Sequence, residues 1–278
     1  MALVSVKTLL KDAERGGYAV PAFNAYNVES VVSILSTAHK MRSPVIVQAY
    51  SRLFQSYDAA NVAACVKAMA DQMDIPIALH LDHGASECDV IRALRYGFTG
   101  VMIDGSKLEY EKNVELTARI VQWGGYVDVP VEGELGHVGL AADAIDTQTY
   151  TEPDEAKDFV ERTGVSLLAV MVGSAHGIYR EEPKLDIDRI ARIKEAAGIP
   201  LVLHGGSGIP AGEIKAAVAA GIRKINVATD ICQVFYEGFR HLGAEDEMYG
   251  KPLDVFLCAS KEKVDELVAE RIDWFGSA

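Results

Sequence analysis

The chain has 278 residues, 49% of them hydrophobic, and a formal net charge of −13. That apolar share is ample for a full core, so no disulfide framework or structural metal is needed simply to fold. The acidic balance argues against a nucleic-acid partner, and any anionic ligand must be drawn in by local groups against the overall field.

The four cysteines, Cys65, Cys88, Cys232 and Cys258, show no C-x-x-C spacing, which argues against a zinc ribbon and for a reducing compartment. Residues 1–17 set Lys7, Lys11, Asp12, Glu14 and Arg15 around short apolar runs, a pattern for an amphipathic helix and not for a secretion signal. No apolar run approaches membrane-spanning length. A cytoplasmic protein with no membrane partner is expected.

Strand-like apolar runs then recur at intervals of roughly thirty residues. In order they are Tyr18–Phe23, Pro44–Ala49, Pro76–Asp82, Thr99–Asp104, Tyr126–Glu132, Ser166–Val172, Ile199–His204 and Ile222–Val227. Between them lie helix patterns at Val28–Met41, Ala59–Met73, Glu87–Tyr96, Tyr110–Trp123, Pro153–Thr163, Ile187–Ala197, Ala211–Ala220 and Ile231–Leu242. Alternation without a composition break predicts the α/β class: one domain over residues 1–278, a (β/α)8 TIM barrel with an N-terminal helix and extra C-terminal helices. Gly97, Gly164, Gly198 and Gly221 sit where helices end, and Asp58, Thr229 and Asp230 where N-caps belong. Gly243–Pro252 reads as a loop before a closing helix, Lys261–Trp274. His137–Thr151 is the longest irregular stretch, and a loop of that length in a compact domain is usually functional.

Such barrels build their chemistry at the C-terminal strand ends. There stand Asn24, Gln48, Asp82 with His83, Asp104, Glu132 with Glu134, Ser174 with His176, His204, and Asn226. The centre of this set is Leu79-His80-Leu81-Asp82-His83-Gly84. One histidine at a strand end is as often a packed residue as a ligand. Three of them, His83, His176 and His204, each followed by Gly, end the third, sixth and seventh strands. Converging on one mouth with a fourth position open, they form the layout of a catalytic zinc site. His80, deeper in its strand, reads as a supporting group. His39 and His241 fall in helix patterns, and His137 lies in the long loop. The turns Gly205-Gly206-Ser207-Gly208 and Asn226-Val227-Ala228-Thr229-Asp230 both lead into helices, where backbone N–H groups bind phosphate.

The motifs Gly17-Tyr18-Ala19-Val20-Pro21-Ala22-Phe23-Asn24, Leu81-Asp82-His83, Val131-Glu132-Gly133-Glu134-Leu135-Gly136, Tyr150-Thr151-Glu152-Pro153, Gly173-Ser174-Ala175-His176-Gly177-Ile178-Tyr179, His204-Gly205-Gly206-Ser207-Gly208 and Lys224-Ile225-Asn226-Val227-Ala228-Thr229 occur in this order. In them the chain resembles the class II, zinc-dependent fructose/tagatose-bisphosphate aldolases, most of all the tagatose-bisphosphate branch. The resemblance implies an aldehyde-lyase that cleaves a ketose (bis)phosphate reversibly to dihydroxyacetone phosphate and an aldehyde. It implies Zn2+ on His83, His176 and His204, with Glu134 serving an alternative metal position, and Asp82 as the acid/base. Gly177, Gly205, Ser207 and Thr229 would surround the phosphate, with Asn24 and Asn226 also at the substrate. It also implies a monovalent cation (Na+ or K+) near the phosphate, a small-molecule sugar phosphate as partner, and a homodimer or homotetramer.

Two positions depart from the resemblance. Ala142 stands where the family's mobile loop carries the Glu that moves a proton at the substrate carbon, which leaves Asp143, Asp146 or His137 as candidate bases. After the second strand, Tyr50 falls where a small hydroxyl residue is usual, unless the register moves by one and Ser51 takes that place. Both changes point to a substrate other than the standard fructose or tagatose compound. The rivals are a non-catalytic aldolase-like subunit, favoured by Ala142, and another metal-dependent carbon–carbon lyase on the same scaffold. A barrel zinc hydrolase ranks low, because Phe23-Asn24 and Asn226-Val227 stand where such enzymes carry an H-x-H pair and an Asp ligand.

Overall fold

A computed structural model describes residues 3–139, 141, 150–240 and 252–278. Parallel strands β1 (Val20–Asn24), β2 (Val45–Tyr50), β3 (Ile77–Gly84), β4 (Gly100–Ile103), β5 (Val131–Leu135), β6 (Leu167–Val170), β7 (Leu201–Leu203) and β8 (Ile222–Val227) close in sequence order into a barrel. The helices are α1 (Val6–Gly16), α2 (Val28–Lys40), α3 (Asp58–Ala70), α4 (Glu87–Tyr96), α5 (Tyr110–Tyr126), α6 (Pro153–Thr163), α7 (Ile187–Ala197), α8 (Ala211–Ala220), α9 (Thr229–Arg240) and α10 (Leu253–Phe275). This is the single-domain TIM barrel that the alternation predicts. Among the described residues, no helix is long and apolar enough to cross a membrane.

Alternate residues of a strand share one face, so Ala78, His80 and Asp82 of β3 form successive levels inside the barrel. The lower level is apolar. Ala22, Ile46, Ala78 and Val202 pack there against Val6, Leu9 and Leu10 of α1, which plugs the barrel from below. The plug needs Gly100, because a Cβ there would lie 2.4 Å from Val6 and 2.6 Å from His80 Nδ1. The upper levels hold Asn24, Gln48, His80, Asp82, Glu132, Glu134, Lys224 and Asn226, all buried. Buried polar groups in such number must largely satisfy one another, and most are linked by hydrogen bonds or ion pairs, whereas Gln48 Oε1, both His80 ring nitrogens and Glu134 Oε2 make no hydrogen bond among the described residues.

Local chemistry explains the helix ends. Ser86 accepts from Asp89 N–H to start α4, Asn27 and Ser30 form a capping box on α2, and Gly97, Gly164 and Gly198 close their helices in the left-handed conformation. Asp58 and Thr229 are first helical residues and not the expected caps. The fifth strand also differs from its expected Tyr126–Glu132. Helix α5 runs on through Gly124 and Gly125, the chain turns at Asp128 (φ 55), and β5 starts only after Pro130. Glu134 is therefore a strand residue, facing inward one level above Glu132. Helix α10 starts at Leu253, well before the expected Lys261. His241, nearly all of Gly243–Pro252, and the base candidates Asp143 and Asp146 with Ala142 lie outside the described residues.

Candidate active site

Asp82 and His83 are neighbours in one strand, so regular pleating would turn them to opposite faces. The structure resolves the conflict with a bulge. His83 has φ 47, and the β3–β4 register shifts between Leu81 and Gly84. A left-handed, non-glycine residue costs on the order of 1–2 kcal/mol, and such strain gathers at functional positions. Here it brings the imidazole to the same mouth as the Asp82 carboxylate, with His83 Nε2 4.0 Å from Asp82 Oδ1.

Asp82 is held from both sides. Asn24 Nδ2 donates to Oδ2 at 2.7 Å and Asn226 Nδ2 to Oδ1 at 3.0 Å. Asn24 is oriented by Gln48 (3.1 Å) and Asn226 by Lys224 (2.7 Å). The fully buried Lys224 also reaches Glu132 Oε2 at 2.9 Å, and Glu132 Oε1 lies 2.8 Å from His204 Nε2. His80 Nε2 is 3.1 Å from the same carboxylate. Burial pushes the Asp82 carboxyl up, but the charges of His83, His204 and Lys224 and the Asn24 amide overcome it and keep the group ionised below its ordinary range. Glu132 is likewise held well below its ordinary value, burial being outweighed by Lys224, His204 and His80.

His83, His176 and His204 converge. Each offers one nitrogen within 4.8 Å of the others. Their opposite nitrogens are occupied: His83 Nδ1 by Asp104 (2.9 Å), His176 Nδ1 by the Val138 carbonyl (3.2 Å) and His204 Nε2 by Glu132. Asp104 is in turn fixed by the Ser106 N–H and hydroxyl. Metal-binding imidazoles are oriented in this way, by a partner on the far nitrogen. His204 Nδ1 and Glu134 Oε2 supply the sharper test. Both are buried without a hydrogen bond, yet they lie 3.1 Å apart. Without a metal the imidazolium proton on Nδ1 faces the carboxylate, and a cation bound there would take that proton's place. A second set, His83, Asp104 and Glu134, shares His83 with the first. Without a cation, burial lowers the His176 pKa to about 4, whereas Glu132 and Glu134 overcome burial and lift His204 to about 10.

Above the histidines opens a cavity of about 400 Å3, lined by Asn24, Asp82, His83, His176, Gly177, Gly205, Ser207, Asn226, Thr229 and His137, among others. The expected substrate and phosphate residues thus meet in one place, with His204 and Glu134 buried behind its wall. Gly205 has φ 65, and a Cβ there would lie 2.2 Å from the Ala175 carbonyl oxygen, so the loop admits only glycine. Tyr179 ties the two glycine-bearing turns together, accepting from Ala175 N–H and donating to Gly205 O. His137 stands 3.0 Å from Ser106 Oγ through Nδ1. At the β2 end it is Tyr50 that lines the cavity, its ring 5.8 Å from that of His83, while Ser51 turns away and is buried.

Sequence reasoning named Glu132 and Asp104 as strand-end groups without giving them partners, and passed over Lys224, Tyr26, Arg52 and Lys107. Lys224 had a readable signal, since it alternates with Arg223 and shares the face of Asn226, and a cation turned into the barrel must find a buried counter-charge. Arg52 and Lys107 lie on turns, where sequence offers no such constraint.

The family described as class II fructose-bisphosphate aldolase matches residues 4–278. The crystal structure of the YdjI aldolase from Escherichia coli K12 superposes with a TM-score of 0.89 at 32% identity, covering 99% of this chain and 98% of that one. A fructose-bisphosphate aldolase from Campylobacter jejuni shares the fold at a TM-score of 0.85 and 24% identity, over 99% of this chain and 96% of its own. A match over nearly the whole chain, on a barrel whose mouth gathers the motif residues, leads to one conclusion: the chain belongs to the class II fructose-bisphosphate aldolase family.

Proposed function

We propose that the protein is a zinc-dependent aldolase that reversibly cleaves a ketose (bis)phosphate to dihydroxyacetone phosphate and an aldehyde, and that its substrate is neither the standard fructose nor the tagatose compound. The observation that carries this reading is Asp82, buried and fixed by two amides, beside three imidazoles whose far nitrogens are already occupied. His83, His176 and His204, with Glu134 as an alternative ligand, would hold Zn2+, which would supply Lewis-acid stabilisation of the negative charge that carbon–carbon cleavage leaves. The Asp82 carboxylate takes the C4 hydroxyl proton as the C3–C4 bond breaks, and returns it to the aldehyde oxygen in the reverse direction. Asn24 and Asn226 keep that carboxylate aimed. Backbone N–H groups around Gly177, Gly205 and Ser207, with Thr229, hold the phosphate, beside a monovalent cation (Na+ or K+), and so fix the reacting carbons.

With Ala142 in place of the loop Glu, His137 is our choice among the candidate bases. It lines the cavity, and its Nε2 has no protein partner among the described residues. A homodimer or homotetramer belongs to the same proposal. The test is a retro-aldol assay of zinc-loaded protein on a ketose-phosphate panel, followed by Asp82→Ala. Cleavage of at least one member, lost in the variant by a factor of about 100 to 10,000, is expected. No cleavage of any member would overturn the reading. A protein that takes up no zinc even after supplementation would favour the non-catalytic subunit.

A further inference from the structure

His137 is held at the cavity wall by hydrogen bonds whose direction is chemically fixed. Asp104 Oδ1 accepts from the N–H and the hydroxyl of Ser106, at 3.1 and 2.7 Å, and Oδ2 lies 2.9 Å from His83 Nδ1. A carboxylate can only accept, and a serine hydroxyl has one hydrogen to give. With that hydrogen on Asp104, Ser106 Oγ turns only lone pairs toward His137 Nδ1, 3.0 Å away. Nδ1 therefore carries the proton. Glu134 Oε1, 3.9 Å from the same nitrogen, favours the same tautomer. In a neutral imidazole the other nitrogen is then bare. That nitrogen, Nε2, makes no hydrogen bond among the described residues.

The backbone beside His137 is also pinned. Val138 N–H donates to Glu134 Oε1 at 3.2 Å, and the Val138 carbonyl meets His176 Nδ1 at 3.2 Å. The Gly139 carbonyl accepts from His176 N–H at 2.9 Å. His137 thus stands on a stretch anchored to Glu134 and His176, five residues before Ala142. Such anchoring suits a proton-transfer group, which must meet its carbon in one orientation.

We propose that Ser106 is the positioning residue of the carbon base: it accepts from His137 Nδ1–H and so presents the Nε2 lone pair to the substrate carbon. The assignment rests on His137 as the base in the aldolase reading. In the condensation direction Nε2 takes a proton from the hydroxymethyl carbon of dihydroxyacetone phosphate, and the C–H electron pair passes into the neighbouring carbonyl. In cleavage the proton returns from Nε2 to that carbon. The protonated imidazole donates from both nitrogens, and the Ser106 oxygen, polarised by Asp104, meets its charge at Nδ1. Ser106 acts through His137 and not on the substrate.

Two measurements test this. Nitrogen NMR of isotope-labelled, chelator-treated protein at about pH 8, where an imidazole is ordinarily neutral, reads the tautomer without metal or substrate. The His137 signal, identified by its absence from His137→Gln, is expected as the Nδ1–H form in wild type and in Ser106→Thr. In Ser106→Ala the Nε2–H form should appear. In D2O, the zinc-loaded enzyme without any aldehyde should place deuterium on the hydroxymethyl carbon of dihydroxyacetone phosphate. At equal zinc content, His137→Gln is expected to slow this uptake about 100-fold or more and Ser106→Ala about tenfold, through kcat more than KM, with Ser106→Thr recovering most of it. An Nε2–H form in wild type, an unchanged tautomer in Ser106→Ala, or uptake that survives His137→Gln overturns the proposal. So does a Ser106→Ala loss that merely follows lost zinc, because the serine would then serve His83 through Asp104. If wild type takes up no deuterium, the aldolase reading fails and the base role with it, while the spectrum still upholds or overturns the hold of Ser106 on His137.

Discussion

Replacing Lys224 by Met removes the one permanent cation beside Glu132, inside a part of the barrel that water does not reach. Both side chains are fully buried, and Lys224 Nζ lies 2.9 Å from Glu132 Oε2. Breaking a buried pair by deleting one partner costs about 3–5 kcal/mol. Asn226 Oδ1 loses its donor at 2.7 Å as well, adding about 1 kcal/mol. Against this, His204 and His80, 2.8 and 3.1 Å from Glu132, remain to neutralise it. The expected loss is therefore about 4 kcal/mol at pH 7, read from the urea unfolding midpoint of chelator-treated protein. Changing Glu132 to Gln as well leaves no stranded charge, so the double variant should recover about 2 kcal/mol or more relative to additivity. The carboxyl of Glu132 sits below its ordinary 4.5 in the folded protein, so its contribution is fully present above that value and is lost as pH falls through the folded one. The stability gap between wild type and Glu132→Gln should accordingly narrow on acidification. A Lys224→Met protein within about 1 kcal/mol of wild type, or a double variant no better than the sum of the singles, would refute the reasoning.

Two other changes test the site. Asp104→Ala frees His83 Nδ1 and should weaken zinc affinity by about 10–100-fold, measured by competition with a chromophoric chelator, with the fold intact by circular dichroism. Gly205→Ala forces a Cβ to within 2.2 Å of the Ala175 carbonyl oxygen at φ 65, so the loop must move. It should weaken dihydroxyacetone phosphate binding more than it lowers the unfolding midpoint, and an unchanged KM would contradict the assigned phosphate loop.

Strand and helix order were legible because a barrel strand buried on both faces must be apolar, and each of its helices must be amphipathic. Polar residues ending such strands were conspicuous for the same reason, so His83, His176, His204 and Asp82 could be named from residue order. The start of β5 was missed because Tyr126–Val129 carries strand-forming residues, while the helix before it continues through two glycines on tertiary support. Sequence also left Tyr50 and Ser51 interchangeable. A shift of one residue reverses a side chain's face, and only the pairing of Tyr50 with Asp82 settles which of the two meets the cavity.

By itself the sequence determined the fold class, the three histidines of the barrel mouth and the glycine loops, because these follow from periodicity and from chemistry placed at strand ends. The tertiary structure decided who holds whom. Lys224 links Asp82's amide partner to His204's carboxylate, the left-handed turn at His83 puts adjacent residues on one face, and Arg52 rests on the Tyr26 and Tyr50 rings. Each depends on distances between strands far apart in the chain. A linear pattern carries the period of a strand, but not the closure of the barrel that brings its ends together.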